Sequence, residues 1–428
     1  MKKLLKSKKR GSAIPLAVVV LLILLAMGTG LLRLGLNSRV FSTRTASDIK
    51  ARSAADAGLT KALFEMNEKL KADIWDSSSL PQAIDANLPN CDATFSYKVI
   101  GNLANGYIIK SVGTADQTQR TVYAVIGLKG LFEHAILTQE NLILKPNTLV
   151  DGYNSQDPLD TDVEVDIGTQ STADASIVLN SGVTVEGDVI VGVGGDPDTV
   201  IKDLGATTGL QLSGTEEDPL PQITPPALPD WGVDITATGE TVTIDPTKNG
   251  QYGNIMLTKG GTVGVLEISG GDVVLYITGD IDLGQSCELV IKDNSSLTVY
   301  IDGNIHSRND TAINNETPPE DPKNFQLYGT AESTQYFDIK AKSTWSGTIY
   351  APNADIDLYA KGDFYGSVVA DNLELKAGGN FHYDEALREV EVEDEGVRFV
   401  VERWYEGSPK LLISDIKAIP IKIQELVK

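Results

Sequence analysis

The feature that most constrains this chain is an uncharged run that begins at Ser12 and ends at Leu32. Its 21 residues, SAIPLAVVVLLILLAMGTGLL, lie between a basic N-terminal segment and Arg33. An α-helix of that length is ~30 Å long, which matches the hydrocarbon thickness of a bilayer. A secretory signal core is shorter, at roughly 7–15 residues. We therefore expect a transmembrane helix over residues 12–36, preceded by a basic leader over residues 1–11.

The charge distribution predicts how this helix is oriented. Residues 1–47 carry nine Lys/Arg and no acid, whereas the whole chain has a formal net charge of −23. Cytoplasmic flanks of membrane helices are enriched in Lys and Arg. We expect a single pass with the N-terminus inside the cell and everything after Arg33 outside.

Composition excludes several functional classes. The acidic body lacks the clustered bases that nucleic-acid binding requires. Two cysteines and three widely separated histidines give neither a disulfide framework nor a recognisable metal-ligand spacing. GxSxG and P-loop motifs are absent from the sequence, and no glycine-rich segment has the context of a dinucleotide site. We expect a structural protein that is not an enzyme and needs no cofactor.

The segment after the membrane run has the pattern of an amphipathic helix followed by strands. Apolar residues recur at three- and four-residue steps, which predicts that residues 37–76 continue the helix. They are Ala55, Leu59, Ala62, Leu63, Met66 and Leu70. Three alternating runs broken by Gly and Asn then predict an antiparallel meander over residues 91–130.

Residues 1–128 resemble the PilX-type minor pilins and the K-type pseudopilins. The resemblance rests on the basic leader ending in Lys9-Arg10-Gly11, the apolar stem, Ala54-Ala55-Asp56-Ala57-Gly58, Ser111-Val112-Gly113 and Arg120-Thr121-Val122. It implies cleavage by a membrane aspartyl peptidase, the prepilin peptidase, between Gly11 and Ser12. It further implies a bacterial inner-membrane protein whose stem packs with other pilins in a type IV pilus or a type II secretion-like filament.

Two departures from the usual pilin pattern bear on the position in a filament. The mature chain would begin with Ser12 rather than Phe or Met, and its fifth residue would be Leu16 where most pilins have Glu. K-type pseudopilins also lack that glutamate, and in that family such subunits sit at the tip or start assembly. The resemblance therefore implies a tip or initiator subunit.

Internal repeats dominate the sequence beyond Gly130. DVVLYITGDI at 272–281 aligns with SLTVYIDGNI at 296–305 with an offset of 24 residues, and residues 347–364 align with 366–381 at offsets of 19 and 17. Short strands with Gly or Asn at the corners are typical of stacked coils that bury their apolar residues together. We expect a β-helix or solenoid over residues 131–384, and a β-sandwich is the alternative.

Residues 151–384 also resemble an uncharacterised domain that is commonly found behind such stems. The residues that carry this are Asp151-Gly152-Tyr153-Asn154-Ser155, Gly187-Asp188-Val189 with Gly192, Gly347-Thr348-Ile349-Tyr350-Ala351-Pro352 and Phe381-His382-Tyr383-Asp384. Proline-rich insertions at 215–231 and 309–323 are expected to be surface excursions. Residues 385–428 are expected to form a strand pair and a tail.

Few residues of the body suggest chemistry. The 24-residue offset places Asp282 opposite His306, an acid–histidine pair that could act as a base or be an exposed rung. The acids of DTDVEVD could bind calcium through oxygen ligands, or form a solvated acidic strand. They are Asp160, Asp162, Glu164 and Asp166. The alternative function is a membrane-anchored surface protein that binds or degrades polysaccharide, and a surface or polysaccharide ligand and a role in adhesion remain open for the filament subunit too.

Overall fold

The computed structural model of the chain describes residues 13–72, 75–103, 106–157, 159, 163–215, 219–315, 321–341, 344–360, 362–376 and 379–407. The chain divides into two compact units. The stem unit consists of Met1–Gly127 together with Phe399–Lys428, and the body unit is Leu128–Arg398.

The stem unit is one long helix and one antiparallel sheet. The helix α1 (Ala13–Ala72) is continuous, as expected from the membrane run and the amphipathic pattern after it. The strands are β1 (Gln82–Asn87), β2 (Thr94–Asn102), β3 (Gly106–Ala115), β4 (Thr118–Lys129) and β30 (Arg398–Glu406), paired in that order. The predicted meander is β2–β4, while β1 and β30 extend it on either side.

The body unit is built from short strands. They are β5 (Ile136–Thr138), β6 (Leu142–Leu144), β7 (Leu149–Tyr153), β8 (Asp166–Thr169), β9 (Ile177–Leu179), β10 (Thr184–Val185), β11 (Asp188–Val191), β12 (Ile201–Asp203), β13 (Gln211–Ser213), β14 (Ile235–Thr238), β15 (Thr241–Ile244), β16 (Gly250–Tyr252), β17 (Ile255–Thr258), β18 (Val265–Ile268), β19 (Asp272–Ile277), β20 (Ile281–Leu283), β21 (Glu288–Ile291), β22 (Ser296–Ile301), β23 (Ile305–Ser307), β24 (Ala312–Asn315), β25 (Phe325–Gly329), β26 (Gln335–Ala341), β27 (Trp345–Ala360), β28 (Phe364–Leu375) and β29 (Asn380–Asp384). Short helical turns are α2 (Pro197–Val200) and 3-10 helices at Pro246–Lys248, Pro322–Asn324 and Glu385–Arg388.

Every ladder among the described strands of the body unit is parallel, which excludes the antiparallel sandwich and confirms the stacked solenoid. The first column of strands runs β14–β17–β20–β23–β26, continues through the second halves of β27 and β28, and ends β6–β9–β12. The second column runs β16–β19–β22–β25, the first halves of β27 and β28, then β5–β8–β11–β13. A third column holds β15–β18–β21–β24.

The predicted repeats give the strand register. Leu275 pairs with Val299 and Tyr276 with Tyr300, as the 24-residue offset requires. Ile349 pairs with Val368 at the offset of 19, and Leu358 with Leu375 at the offset of 17. The offset changes because β27 and β28 shift register between Ala351 and Asp355.

Stacking buries continuous columns of apolar side chains. One inward position is occupied in ten successive strands by residues that are all at most 6% exposed. They are Ile235, Ile255, Ile281, Ile305, Phe337, Ile356, Leu373, Leu142, Ile177 and Ile201. A second interior column stacks the rings of Phe325, Trp345, Phe364 and Phe381 with centroids 4.6–5.8 Å apart. No single coil could bury these side chains alone, so neighbouring coils stabilise each other.

The order of coils in space differs from their order in the chain. The chain enters the solenoid at β5, whose neighbours are β28 and β8. It winds outward to β13, whose only described ladder is with β11. After residues 214–234 it resumes at β14, at the opposite end of the columns, and winds back until β29 pairs with β7. The first coil therefore stacks on the last one, which no local sequence pattern indicated.

The first proline-rich insertion runs along the body between its two ends. The Pro221 carbonyl accepts a hydrogen bond from Tyr350 Oη at 2.8 Å, and Gln222 Nε2 donates to the Thr330 carbonyl at 2.7 Å. Ile223 is 4% exposed. Most other described residues of this insertion are exposed or half-buried, so it lies at the surface as expected, but it connects two distant coils rather than successive ones. The second predicted insertion, residues 309–323, contains strand β24, which pairs with β21 in the third column and buries Ile313, so this part of it is not a surface excursion. Residues 316–320 lie outside the described part of the chain.

A polar ladder follows one corner of the solenoid. Asp234 Oδ1 accepts from Asn254 N at 2.7 Å, Asn254 Oδ1 from Asp280 N at 2.9 Å, and Asp280 Oδ1 from Asn304 N at 2.7 Å. Asn304 Oδ1 then accepts from Tyr336 N at 2.9 Å. Asp and Asn alternate, so no two carboxylates are adjacent in this ladder, and each side chain satisfies a backbone donor of the next coil.

The prediction of a C-terminal strand pair after residue 384 is wrong. Asp384 caps the 3-10 helix Glu385–Arg388 by accepting from Ala386 N at 3.1 Å, and turns follow up to Val397. The single strand β30 then pairs with β4 in the stem unit. Alternation in the sequence could not reveal this partner, which precedes β30 by the whole body unit. Residues 408–428 lie outside the described part.

Candidate functional site

The first half of α1 presents apolar side chains to the surroundings. Its aliphatic residues from Leu16 to Leu36 are about half to three-quarters exposed. The helix segment Pro15–Lys71 contains a window with a mean hydropathy of 2.6, none of which is buried in the protein. Among the described residues this is the one helix long and apolar enough to cross a membrane.

The second half of α1 packs closely on the stem sheet. Ala51, Ala54, Ala55 and Ala62 are completely buried. A Cβ added at Gly113 would lie 2.0 Å from the Ala51 carbonyl oxygen, so glycine is required where helix and strand approach. Ala54, Ala55 and Gly113 belong to the segments that carry the pilin resemblance. Close packing of helix and strand explains why these positions have small residues.

Gly58 makes the corresponding approach from the helix. A Cβ there would lie 2.3 Å from Ser111 Oγ, on β3. Polar pairs flank the contact: Arg120 Nε donates to Asp48 Oδ1 at 2.5 Å, and Tyr97 Oη donates to Glu65 Oε2 at 2.5 Å. Burial, followed by the bond to Glu65, raises the pKa of Tyr97.

Strand β30, near the C-terminal end of the described chain, also packs on α1 and the stem sheet. Asn67 in α1 donates its Nδ2 to the Phe399 carbonyl at 3.1 Å and accepts from Phe399 N at 2.7 Å. The Phe399 ring contacts Trp75 and Tyr107 with centroids 5.2 and 5.3 Å away. The stem unit is therefore completed by residues that follow the body in the chain.

The predicted processing site and two of the four calcium candidates lie outside the described residues, and the other two candidates contact an arginine. Gly11 and Ser12, the expected processing site, lie outside the described residues, as do Asp160 and Asp162. The other two calcium candidates contact Arg388: its Nη1 lies 2.8 Å from Glu164 Oε2 and its Nη2 lies 3.6 Å from Asp166 Oδ2. Burial raises the pKa of Asp166. In the described part of the chain, no three His, Cys, Asp or Glu residues are grouped so that they could hold a metal.

Asp282 and His306 do lie opposite each other on β20 and β23. Both side chains are exposed, and within the described structure no hydrogen bond joins them. They belong to an outward row on the first column, which includes Met256 before them and continues through Asp338, Asp357 and Glu374. The pair is therefore part of a longer polar row and not an isolated dyad.

Two further rows flank this one. On one side lie Tyr336, Asp355, Asn372 and Asn141, and on the other lie Lys340, Tyr359, Lys376 and Lys145. An open groove of about 420 Å³ lies between the row that contains Tyr336 and the row that contains Asp338. It is lined by the backbone of the sheet and by Tyr336, Asp338, Asp355, Asp357, Asn372, Glu374, Asn141 and Ile143. Asp355 and Asp357, which the sequence predicts to face outward, lie on opposite walls.

The lysines of the row that contains Lys340 form ion pairs with the acids of the row that contains Asp338. Lys340 Nζ lies 2.5 Å from Asp338, Lys145 Nζ lies 2.6 Å from Glu374, and Lys376 contacts both Asp357 and Glu374. The bond to Asp357 raises the pKa of Lys376, and the bond to Lys145 lowers the pKa of Glu374. The Tyr359 ring lies between Lys340 and Lys376, with each Nζ about 5 Å from its centroid.

The structure contains a hydrogen-bonded acid–histidine pair that was not predicted from the sequence. His382 on β29 contacts the carboxylate of Asp151 on β7 through its Nδ1, and its ring stacks on Tyr365 with centroids 4.6 Å apart. The Phe381–Asp384 and Asp151–Ser155 motifs carry part of the resemblance of the body, and they pair through His382–Asp384 and Asp151–Tyr153. The signal was present as two motifs, but their pairing depends on the stacking of the first coil on the last.

A family model described as a domain of unknown function (DUF7305) matches residues 229–390, which lie in the body unit. A search of the curated proteins found no match.

Among solved structures, the chain is similar to the competence-associated pilin ComZ from Thermus thermophilus. The identity is 12%, the match covers 84% of this chain and 97% of ComZ, and the TM-score is 0.22. A TM-score this low carries no argument about fold or function.

Proposed function

We propose that this chain is a minor pilin or pseudopilin of a type IV pilus or type II secretion-like filament. One observation supports this above the others: a single continuous helix is exposed and apolar in its first half and packs on an antiparallel sheet in its second. A helix of this kind can anchor the subunit in the membrane and then pack with other stems, since its first half has no partner within the described stem unit.

The proposed orientation follows from the charges. Six bases precede the apolar run and would remain in the cytoplasm until the prepilin peptidase cuts between Gly11 and Ser12. The body would lie outside the inner membrane or on the cell-surface filament. Its role there is structural display, and we propose no catalytic activity and no cofactor for it.

A tip or initiator position fits the stem and the body best. Leu16 replaces the glutamate that would pair with a neighbouring α-amino group, so one docking contact of a repeating subunit is missing. The body adds Leu128–Arg398 to the stem, which is bulky for a subunit repeated along a filament.

The test is to shear filaments from cells, purify them and sequence the N-terminus of this chain. We expect it in the filament fraction at far lower abundance than the major subunit, beginning at Ser12. A Gly11→Leu variant should retain Met1, stay in the membrane fraction and be absent from filaments. A wild-type chain that begins at Met1, or that never co-purifies with filaments, would overturn the proposal.

A further inference from the structure

The groove on the first column of the solenoid has no partner within the described chain. It runs along the stacking direction, with one wall formed by Tyr336, Asp355, Asn372 and Asn141 and the other by Asp338, Asp357, Glu374 and Ile143. The geometry points to a binding site for an extended, uncharged polysaccharide chain. This goes beyond the proposed filament role and does not depend on it.

The charges of the walls favour an uncharged ligand. Three lysines, Lys145, Lys340 and Lys376, lie against the carboxylates of Asp338, Asp357 and Glu374. The fourth carboxylate, of Asp355, accepts from Asn372 Nδ2 at 2.6 Å. Three bases against four acids leave a formal charge of −1, and a cationic ligand would have to displace lysines that already occupy the acids.

Hydrogen-bonding capacity remains after these pairings. A carboxylate has about four acceptor positions, and an ion pair uses only part of them. Carboxylates with free lone pairs, together with the amides of Asn372 and Asn141 on one wall, match the donors and acceptors of sugar hydroxyl groups.

One aromatic side chain supplies an apolar surface at the end of the groove. Tyr336 is 57% exposed, although its backbone N–H is fixed by Asn304 Oδ1 at 2.9 Å. An exposed aromatic ring on a rigid strand can stack on the apolar face of a pyranose ring. Stacking of this kind costs little side-chain entropy, because tyrosine has few rotatable bonds.

The repeat of the groove matches a linear polymer. Each wall presents one side chain per strand, ~4.8 Å apart, and one wall has carboxylates on three successive strands, at Asp338, Asp357 and Glu374. This spacing is on the order of the length of one pyranose unit. An extended chain of sugars can therefore meet the same kind of contact at successive coils, whereas a compact ligand would use only one or two. An extended peptide would instead bind through a sheet edge, and this face of the sheet offers none.

The experiment is an array of linear hexasaccharides in three classes: uncharged, uronate-containing and amino-sugar-containing, probed with the full chain in detergent. We expect retention on uncharged chains. Tyr336→Ala should weaken it about tenfold, as expected for the loss of one stacked ring, and Asp355→Ala should weaken it as well. Phe64→Ala, an equally exposed aromatic at 61% in the stem unit, is the matched control and should leave retention unchanged.

The melting temperature of each variant establishes that it is folded. Retention on amino-sugar or uronate chains alone, no retention on any class, or retention that Tyr336→Ala and Asp355→Ala leave intact would each overturn the inference. None of these results changes whether the chain enters filaments, so the two proposals fail separately.

Discussion

The Nδ1 of His382 hydrogen-bonds the carboxylate of Asp151, although 231 residues separate the two in the chain. The pair joins β29 of the last coil to β7 of the first, and the Nε2 of His382 lies 3.9 Å from Asp363 Oδ2. The two coils are held together by side chains as well as by the backbone ladder.

Replacing His382 should weaken this junction. We expect His382→Ala to lower the free energy of unfolding by about 1–3 kcal/mol, because it removes a charge-assisted hydrogen bond and the stacking on Tyr365. Thermal unfolding of the full chain in detergent measures it. His306→Ala is the matched control: it is exposed on the same solenoid and should change stability by less than about 0.5 kcal/mol. Equal melting temperatures for the two variants would contradict this role.

Close packing of α1 on the stem sheet predicts that Gly113 tolerates no side chain. Gly113→Ala should destabilise the stem unit by about 1–3 kcal/mol, because its Cβ would meet the Ala51 carbonyl oxygen and the Ala55 nitrogen. The measurement is denaturant unfolding followed by the fluorescence of Trp75, which packs on β30 in the same unit. Gly261→Ala serves as the control, since no heavy atom lies within 4 Å of its added Cβ. An effect no larger than that of Gly261→Ala would show that the helix can move away.

Alternation of Asp and Asn along the corner ladder predicts that Asn304→Asp destabilises the solenoid. The new carboxylate would stand beside that of Asp280, and like charges opposite each other destabilise adjacent strands by about 0.2–1 kcal/mol. The loss is expected as a lower melting temperature at neutral pH. Asn309→Asp, at an exposed turn, adds the same charge away from the ladder. The prediction fails if both variants have the same melting temperature at neutral pH.

The outward tyrosines of the second column predict a loss of stability in alkali. Burial, and then the bond from its Oη to Asp302 at 2.5 Å, raises the pKa of Tyr276 from 10.0 to about 12. Burial likewise raises the pKa of Tyr300, whose Oη donates to Glu395.

Because the unfolded chain ionises first, stability present below about pH 10 should be lost as the pH rises through 12, the folded-state pKa of Tyr276. Absorbance titration of the phenolates, together with melting temperatures over this range, gives the measurement. Tyr276→Phe should make stability less steeply dependent on pH. A titration in which all tyrosines ionise together near pH 10 would contradict the prediction.

The strand register of the solenoid was predictable, because residues that pair on neighbouring parallel coils are separated in the sequence by the length of one repeat. Tyr276 and Tyr300, or Leu358 and Leu375, are neighbours at the offset read from the repeat. The contact of Asp151 with His382 and that of Asn67 with Phe399 were not predictable. Each depends on a return of the chain over a long distance, and neither leaves a local period.

The groove was only partly predictable for the same reason. Asp282 with His306 followed from one offset, and the outward direction of Asp355 and Asp357 followed from alternation. Asn141, which hydrogen-bonds Asn372, belongs to the first coil of the body. Its place in the groove could be predicted only by knowing that the first coil stacks on the last.

The stacking of the first coil on the last sets the order in which the body can fold during synthesis. Strands β5–β7 are made early, yet the partners that cover one of their edges, β28 and β29, follow more than 200 residues later. Until then that edge is open to pairing with other chains, and closing it requires contacts of long sequence separation, which form slowly. The vulnerable period of this protein is therefore the interval between the synthesis of residue 153 and that of residue 384.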